Sequence, residues 1–388
     1  MQTRRIGILT GGGDVPGLNS VIKGAVYRAT EKNYEVFGIR RGWEGLTHVN
    51  LDDPASRDHY IVPLSRENTR TIDRFGGTIL HSTRTNPAKM RVLPDFLSAE
   101  NFPKAGDTWD VSSLVLKNLE ILGIDNLIAI GGDDTLSYAA KLDAMGAKVI
   151  AIPKTMDNDV RNTEYCIGFS TAITRATDAI GRQRTTVGSH ERIGIFRIFG
   201  RDAGHTALYS AYVTSIRCCI PEYTVNLEKL IDLLLTEKRS TPSNYVLVVL
   251  SEGAKWEGYT VQEYGDPDAF GHRKKASVGD ALAMEISRRT REGSIVSDLT
   301  YDLRSGEPDF VDKMIATTFG NMAMDAVLKG KTGLMSALVD GCYTMAPLPD
   351  PKLGPRRVDI ATMYNTDRYR PNYANKVGQP TFLMRVEP

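Results

Sequence analysis

The chain has 388 residues, of which 41% are hydrophobic and 24% charged, a composition typical of a globular protein with two to three domains. The 48 basic and 47 acidic residues nearly cancel, which excludes the broad positive field of a nucleic-acid-binding protein. No apolar run is long enough to cross a membrane, and residues 1–5 lack the apolar stretch of a secretory signal. We therefore expect a cytoplasmic protein that binds neither nucleic acid nor membranes.

Short apolar runs alternate with segments of helical period along most of the chain. The predicted strands, in chain order, are residues 5–10, 35–40, 126–130, 148–152, 192–198, 245–250 and 294–299. The predicted helices are residues 18–31, 135–145, 171–184, 226–238, 278–291 and 309–329. Strands that alternate with helices form parallel sheets with crossover helices, so the predicted fold class is α/β, with two Rossmann-like domains.

These elements divide the chain into three predicted parts. Residues 1–152 form the first α/β domain, residues 153–330 form the second, and residues 331–388 form a C-terminal extension that partly packs back on the first domain. Residues 254–276 are polar and contain glycine, which predicts a surface excursion. From Ala346 the chain contains several prolines and no helical period, and we expect this tail to cover an existing surface.

The first candidate site follows the first predicted strand, where Gly11-Gly12-Gly13-Asp14 leads into a helix. Glycine permits positive φ and lets backbone N–H groups approach an anion closely, and a helix N-terminus favours negative charge. The loop therefore predicts phosphate binding, although a tight strand-to-helix turn uses the same residues. It matches neither the dinucleotide-binding fingerprint nor the Walker A loop.

The second candidate site also lies between a strand and a helix, and it reads Gly131-Gly132-Asp133-Asp134-Thr135. Two glycines offer their backbone to a phosphate, and two carboxylates beside a phosphate are consistent with a divalent cation. An acidic helix N-cap is the simpler alternative, because Asp is common where helices begin. The glycine pair favours the phosphate site.

The third candidate site lies at the carboxyl end of a predicted strand, the edge at which α/β folds bind ligands. A lysine, a hydroxyl group and two carboxylates share this loop, namely Lys154, Thr155, Asp157 and Asp159. An aspartate beside an alcohol can accept its proton while the alcohol attacks phosphorus, and a lysine can neutralise the transferred group. Taken alone, the loop favours an ordinary polar turn.

The order and spacing of these loops, with further motifs, point to one family. The chain resembles the phosphofructokinases over most of its length, through the motifs GILTGGGDVPGLN, GGTILHSTRTNP, GGDDT, PKTMDND, YCIGF, SHER and LSEG. The resemblance implies the phosphofructokinase fold, in which two α/β domains face each other across a cleft. Residues 1–152 would hold the phosphoryl donor and Mg²⁺, and residues 153–330 would hold a sugar phosphate.

The resemblance also implies roles on the donor side. Gly12 and Gly132 would bind the donor phosphates together with Lys154. Asp133 would hold Mg²⁺. Arg84 would bridge the donor phosphates and the transferred group.

On the acceptor side, Thr155, Asp157 and Asp159 would surround the reacting hydroxyl, with Asp157 as the base. Glu252 would hold sugar hydroxyls. Arg192 would bind the sugar phosphate, often by reaching in from a neighbouring subunit, so a homodimer or homotetramer is expected. The remaining residues that the resemblance assigns to the substrate are Phe199, Gly200, Arg201, Tyr301 and Arg304.

Asp134 and Lys154 bear on the choice of donor. Relatives that use ATP read GGDG and PGT at these motifs, whereas this chain reads GGDD and PKT, as pyrophosphate-dependent members do. The Asp134 carboxylate would fill the space that the α-phosphate of a nucleotide needs, and like charges about 4 Å apart repel by about 4 kcal/mol at an effective dielectric constant of about 20. The predicted reaction is a reversible, Mg²⁺-dependent transfer from pyrophosphate to the 1-hydroxyl of fructose 6-phosphate.

The sugar side departs from the family pattern. Phe199 stands where members typically carry Met, and Arg197 stands where Glu is usual. Ile295 lies near the position expected for a second phosphate-binding arginine, with Arg291 the nearby candidate to replace it. Losing a bidentate arginine weakens the grip on a 6-phosphate. Fructose 6-phosphate is therefore the predicted substrate, and sedoheptulose 7-phosphate is the alternative.

Three other functions are compatible with parts of the sequence. An ATP-dependent 6-phosphofructokinase conflicts with Asp134 and Lys154. A kinase with a GGD motif that acts on NAD or a lipid conflicts with the sugar-side residues. A noncatalytic regulatory subunit would have lost the metal-binding and base carboxylates, yet Asp133 and Asp157 are both present.

Overall fold

The predicted alternation of strands and helices is present in the computed structural model, which describes residues 4–259, 263–266, 274–275 and 277–373. The strands, in chain order, are β1 (Arg5–Thr10), β2 (Glu35–Ile39), β3 (Ile61–Leu64), β4 (Lys104–Ala105), β5 (Thr108–Trp109), β6 (Asn126–Gly131), β7 (Val149–Pro153), β8 (Ile193–Ile198), β9 (Arg217–Cys219), β10 (Val246–Ser251), β11 (Glu263–Tyr264), β12 (Lys274–Lys275), β13 (Ser294–Leu299), β14 (Leu334–Val339), β15 (Cys342–Pro347), β16 (Tyr364–Asn365) and β17 (Arg370–Pro371). Each strand that the sequence predicted is confirmed to within about one residue of its bounds.

The helices, in chain order, are α1 (Leu18–Thr30), α2 (Glu44–Thr47), α3 (Pro54–Tyr60), α4 (Ser112–Ile121), α5 (Asp133–Ala144), α6 (Phe169–Ser189), α7 (His205–Thr214), α8 (Leu227–Ser240), α9 (Val278–Thr290), α10 (Tyr301–Arg304), α11 (Phe310–Leu328) and α12 (Ile360–Met363). The predicted start of α5 was wrong, because Asp133 and Asp134 lie in its first turn, where carboxylates are favoured by the helix dipole. None of these helices, within the described ranges, is long and apolar enough to span a lipid bilayer.

The larger sheet has the strand order β15-β14-β7-β6-β1-β2-β3. Its inner strands run parallel, and the antiparallel strands β15 and β3 form its edges. β6 and β7 consist almost entirely of buried residues, as expected for parallel strands covered by helices on both faces. Strands β14 and β15 lie after residue 330, so the C-terminal part of the chain adds two strands to this sheet.

The smaller sheet has the order β13-β8-β10-β9, and all four strands run parallel. Ile198 at the end of β8 is in register with Ser251 of β10 and with Leu299 of β13. The residues that follow these three strands therefore leave the sheet at the same edge.

Helices α1 and α11 pack closely against each other beside the larger sheet. A Cβ on Gly24 would lie 3.0 Å from the carbonyl oxygen of Thr317, and one on Gly320 would lie 2.6 Å from that of Val21. Only glycine permits this approach of the two backbones. The contact holds the N-terminus of α1 beside the end of β1, where the first candidate site lies.

The tail reaches from the larger sheet to the smaller one. The buried Tyr364 donates from its hydroxyl to the carbonyl of Cys218 at 2.7 Å, and the N–H of Cys218 donates to the carbonyl of Tyr369 at 2.9 Å. The prediction that the tail covers an existing surface is confirmed as far as residue 373. Residues 374–388 and much of the predicted excursion 254–276 lie outside the described residues, and the domain boundaries stay a prediction.

Candidate active site

The three candidate loops meet at one edge of the larger sheet. β7, β6 and β1 are parallel neighbours, so the loops that follow them leave the sheet at the same end. The N–H of Gly11 donates to the carbonyl of Ile130 at 2.9 Å, and the N–H of Lys154 donates to the carbonyl of Gly131 at 2.8 Å. Backbone hydrogen bonds thus join each loop to the next.

Glycine shapes the first loop. Gly12 has a φ of +79° and Gly17, just before α1, has a φ of +108°, both in the left-handed region that favours glycine. A Cβ on Gly17 would lie 2.6 Å from Cγ2 of Ile167. The N–H of Gly12 donates to the carbonyl of Thr83 at 2.9 Å, which brings the segment that carries Arg84 to this loop. The result is a close-packed turn at a helix N-terminus, suited to an anion.

Lys154 joins the third loop to the first. Its ammonium donates to the carbonyl oxygen of Gly13 and lies 3.4 Å from where a Cβ on Gly12 would be. The residue is 3% exposed. Burial, and then the charge of Arg304, lower the pKa of Lys154 to about 8 against the opposing charge of Asp14. A buried cation beside a glycine loop is suited to bind a phosphate.

Asp133 and Asp134 begin α5, and Gly132 is its N-cap residue. Burial, and then the charges of Asp159 and Asp134, raise the pKa of Asp133 to about 7. A divalent cation relieves this kind of repulsion between carboxylates. Among the described residues, no group of three or more His, Cys, Asp or Glu side chains is arranged to hold a metal ion. Mg²⁺ usually binds one or two carboxylates and completes its shell with substrate phosphates and water, so Asp133 fits this role.

Asp157 and Asp159 form a half-buried pair of carboxyl groups beyond β7. Burial, and then the charges of Asp159 and Glu252, hold the pKa of Asp157 well above its usual range. Burial also raises the pKa of Asp159. The hydroxyl of Thr155 bonds the carboxylate of Asp159 and accepts from the N–H of Asp157 at 3.2 Å. A half-buried carboxyl group with a raised pKa is suited to exchange a proton with a substrate hydroxyl.

The guanidinium of Arg304 packs against two aromatic rings at the edge of the smaller sheet. Phe199, Glu252 and Tyr301 come from the carboxyl ends of β8, β10 and β13. The guanidinium carbon of Arg304 lies 4.6 Å from the ring centre of Phe199 and 5.7 Å from that of Tyr301. The two rings meet edge to face, with centres 6.4 Å apart. Cation–π contacts therefore hold this guanidinium in place.

Arg304 also reaches the first glycine loop, at the edge of the larger sheet. A Cβ on Gly13 would lie 2.8 Å from Nη1 of Arg304, so a side chain at that position would displace the guanidinium. The charge of Arg304 acts on both Lys154 and Asp157. The structure thus brings the edges of the two sheets together around one set of charges, of which Lys154 is buried and Asp157 and Arg304 are half-buried.

The loops after β8 and β10 touch through their backbones. Gly200 has a φ of +122°, and a Cβ there would lie 2.7 Å from the carbonyl oxygen of Ala203. A Cβ on Gly253 would lie 1.9 Å from the carbonyl oxygen of Arg201. The charge of Arg201 opposes the rise in the pKa of Asp157. Glycine at both positions therefore lets Arg201 approach the carboxylate pocket.

Arg192 is not brought into this cleft. It is exposed and precedes the first residue of β8, whereas Phe199 follows the last. The seven steps between Arg192 and Phe199 correspond to about 23 Å along a strand. Ile295 pairs with Gly194 near the same distant edge. Within one chain, the predicted sugar-phosphate ligand Arg192 is therefore separated from Arg304.

Sequence reasoning missed the partners that hold two of the site residues. Arg197 lies 3.6 Å from the carboxylate of Glu252 and 4.0 Å from that of Asp298. The unusual arginine at this position was visible in the sequence, but its partner was not. Arg356, in the tail, donates to the carbonyl groups of Asn158 and Asp159 in the third loop, and no local pattern marks it.

The sequence as a whole matches a family model described as Phosphofructokinase over residues 5–327. The chain belongs to the phosphofructokinase family. The matched range includes every residue that the sequence assigned to the site. The fold that the resemblance implied is confirmed, since the large, mostly parallel sheet and the paired α/β layers are those of the family.

Individual relatives in this family use different donors by name. The chain is 38% identical over 341 residues to a pyrophosphate–fructose 6-phosphate 1-phosphotransferase of Dictyoglomus thermophilum, covering 87% of this chain and 90% of the relative. It is 34% identical over 349 residues to ATP-dependent 6-phosphofructokinase 3 of Streptomyces coelicolor, covering 89% of this chain and 94% of the relative. A solved pyrophosphate-dependent phosphofructokinase of Marinobacter aquaeolei matches 98% of this chain and 91% of its own, with a TM-score of 0.77 and 19% identity, which shows the shared fold.

Proposed function

We propose that this enzyme transfers a phosphoryl group reversibly from pyrophosphate to the 1-hydroxyl of fructose 6-phosphate, with Mg²⁺ as cofactor. The observation that carries the proposal is the position of Lys154, whose buried ammonium lies against the Gly12–Gly13 turn. The names of relatives at 36–38% identity over most of the chain support the same reaction.

Asp157 acts as the base in this reaction. It takes the proton of the 1-hydroxyl while the hydroxyl oxygen attacks the terminal phosphorus of pyrophosphate, and the bond to the bridging oxygen breaks to release phosphate. Lys154 and Arg84 balance the charge that spreads over the transferred group. Mg²⁺ held by Asp133 would neutralise phosphate oxygens. Positioning and electrostatics supply most of the rate enhancement.

The preference for pyrophosphate rests on Asp134 and Lys154. Asp134 is exposed in the first turn of α5, beside the second glycine loop. A nucleotide would bring further phosphate towards this carboxylate, whereas pyrophosphate ends before it. ATP remains the second candidate donor, because relatives of 34–35% identity carry the name ATP-dependent 6-phosphofructokinase.

The acceptor is a sugar phosphate held at the edge of the smaller sheet. Glu252, fixed by Arg197, is suited to accept hydrogen bonds from sugar hydroxyls. The Phe199 ring packs on Arg304 and narrows the space beside it, which favours the contact of a phosphate with a pre-oriented guanidinium. Sedoheptulose 7-phosphate is the alternative acceptor, because the altered pocket leaves the sugar length open to test.

A neighbouring subunit completes the sugar-phosphate site in this proposal. Arg192 is exposed and far from Arg304 within one chain, so it is available to the cleft of a second copy in a homodimer or homotetramer. We assign residues 1–152, with β14 and β15, to the donor half and residues 153–330 to the sugar half. The described cysteines are free, which fits a cytoplasmic location.

The test is product formation from fructose 6-phosphate and Mg²⁺, with pyrophosphate or ATP in parallel reactions. Fructose 1,6-bisphosphate with pyrophosphate alone is the expected result. Product with ATP alone would overturn the donor assignment and leave the base assignment standing. No product in either reaction would move the search to sedoheptulose 7-phosphate, and failure with both sugars would overturn the proposed function.

A further inference from the structure

A short segment of the tail, residues 353–358, contacts the loop that carries Asp157 and Asp159, which is the catalytic loop of the proposed function. We call this segment the C-terminal clasp. Its central residue is Arg356. The N–H of Arg356 donates to the carbonyl of Asp159 at 2.6 Å. Its Nη2 donates to the carbonyl of Asn158 at 2.7 Å and to that of Glu164 at 3.3 Å. The backbone N–H of Arg356 thus binds one carbonyl group, and its guanidinium binds two, in the segment that carries the two half-buried carboxylates.

The loop turns at a residue in the left-handed conformation. Asn158, which separates Asp157 from Asp159, has a φ of +52°, which asparagine adopts more readily than most residues with a side chain. Its side chain donates to the carbonyl of Glu164 at 2.9 Å and accepts from the N–H of Cys166 at 2.8 Å. The side chain of Asn158 is therefore fixed from within the loop, while its carbonyl group is fixed by Arg356.

The orientation of the peptide between Asn158 and Asp159 decides where the two carboxylates point. This peptide lies between the two aspartates in the chain, so a change in its backbone torsions would change the position of one carboxylate relative to the other. The positive charge of Arg356 also opposes the rise in the pKa of Asp159 that burial causes. The clasp therefore acts on the geometry and the charge of the carboxylate pair at once.

The clasp is itself held at both ends. Arg161 donates from Nε and Nη2 to the carbonyl oxygens of residues 354 and 353, at 2.7 and 2.9 Å. The N–H of Val358 donates to Oε1 of Glu222 at 2.9 Å, and the same oxygen accepts from the N–H of Gly204 at 2.9 Å. Gly204 lies just beyond the sugar-side loop 199–201. The clasp thus spans from the catalytic loop to the sugar side of the cleft.

We propose that Arg356 is a positioning residue for phosphoryl transfer, whose guanidinium acts through the carbonyl groups of Asn158 and Glu164 to hold the Asp157 carboxylate in line with the sugar hydroxyl. The inference rests on the proposed function, because it takes Asp157 to be the base. In this role Arg356 acts through backbone carbonyl groups. Its loss should therefore affect the chemical step more than the binding of the donor, which contacts other loops.

The test compares Arg356→Met with Arg356→Lys and with the matched control Arg357→Met. Arg357 is the adjacent arginine, is exposed and carries the same charge. Because a misplacement of about 1 Å can cost about 100-fold in rate, we expect Arg356→Met to lower kcat by about 10- to 100-fold. The KM for pyrophosphate should stay within about threefold, and Arg356→Lys, which keeps a charged donor, should recover most of the rate.

A kcat for Arg356→Met within about twofold of that of Arg357→Met would overturn the proposal. So would a loss of activity that only parallels the loss of folded protein in a thermal melt, or a lysine variant as slow as the methionine variant. If Arg356→Met does not fold, Arg356→Gln takes its place under the same criteria.

A second measurement separates this inference from the proposed function. If the wild type and Arg357→Met both fail to transfer a phosphoryl group, the proposed function fails, and amide hydrogen exchange across residues 157–166 decides the role of the clasp. Arg356→Met should speed exchange there by about fivefold or more, with Arg357→Met unchanged. Equal exchange in the two variants would overturn the inference.

Discussion

Replacing Lys154 with methionine should make the protein more stable and the enzyme much slower. Burial lowers the pKa of Lys154 from 10.5 to about 8, and each pKa unit corresponds to about 1.4 kcal/mol, so the charged form costs the folded state about 3 kcal/mol. The lost hydrogen bond to Gly13 offsets about 1 kcal/mol of this. We expect a net gain in the free energy of unfolding of about 2 kcal/mol at pH 7.

The size of this gain in the free energy of unfolding depends on pH. The folded-state pKa lies below the unfolded value, so the unfolded chain binds more protons between about pH 8 and about pH 10.5. The wild type therefore gains stability as the pH rises through that window. The advantage of Lys154→Met should shrink over the same range and be absent above it.

The loss of activity follows from the same buried charge. An ammonium about 4 Å from a phosphate charge contributes about 4 kcal/mol at an effective dielectric constant of about 20. Since about 1.4 kcal/mol is a factor of ten in rate, kcat/KM for pyrophosphate should fall by about 1,000-fold.

Urea unfolding at pH 7 and pH 10, together with kcat/KM for pyrophosphate, would measure both effects. Lys148→Met is the control, because Lys148 is an exposed lysine just before β7. A Lys154→Met protein that is less stable than the wild type at pH 7 would show that the contact with Gly13 outweighs burial. A kcat/KM within about tenfold of the wild type would remove Lys154 from the donor site.

Three further changes test the remaining roles. Asp157→Asn should lower kcat by about 100-fold or more with little change in either KM, and near-normal turnover would exclude Asp157 as the base. The wild-type rate should fall as the pH drops below the raised pKa of Asp157, because a base must be unprotonated. Asp134→Gly, alone or with Lys154→Gly, should add activity with ATP in the coupled assay, and no gain would mean that other residues exclude the nucleotide. Removing Mg²⁺ with EDTA should abolish turnover until Mg²⁺ is restored, and turnover that survives would contradict the role given to Asp133.

The glycine loops proposed to bind the donor could be located from the sequence because their signals are local. Gly12, Gly132 and Asp133 each lie between a strand and a helix that the sequence itself predicts, and the parallel order of the strands then brings them to one edge. Helix α7 was missed, because His205–Thr214 is apolar on most sides and shows no amphipathic period. Short strands such as β9 and β3 were missed for lack of length.

Contacts between distant segments were beyond the reach of a pattern. Arg192 carries the expected motif, yet only the direction of β8 shows that it lies at the far edge of the sheet from Phe199. The pairing of Arg197 with Glu252 depends on β8 and β10 being neighbours, which no residue type reveals.

The sequence by itself determined the family, the alternation of strands and helices that builds the two sheets, and the residue types of the three candidate loops. The loops could be located because a glycine turn or an acidic helix start is specified by a few consecutive residues. Only the tertiary structure decided that Lys154 bonds Gly13 across 141 residues and that Arg356 bonds Asn158 across 198. Burial sets the pKa values of Lys154 and Asp157, and burial is a property of packed neighbours rather than of local sequence.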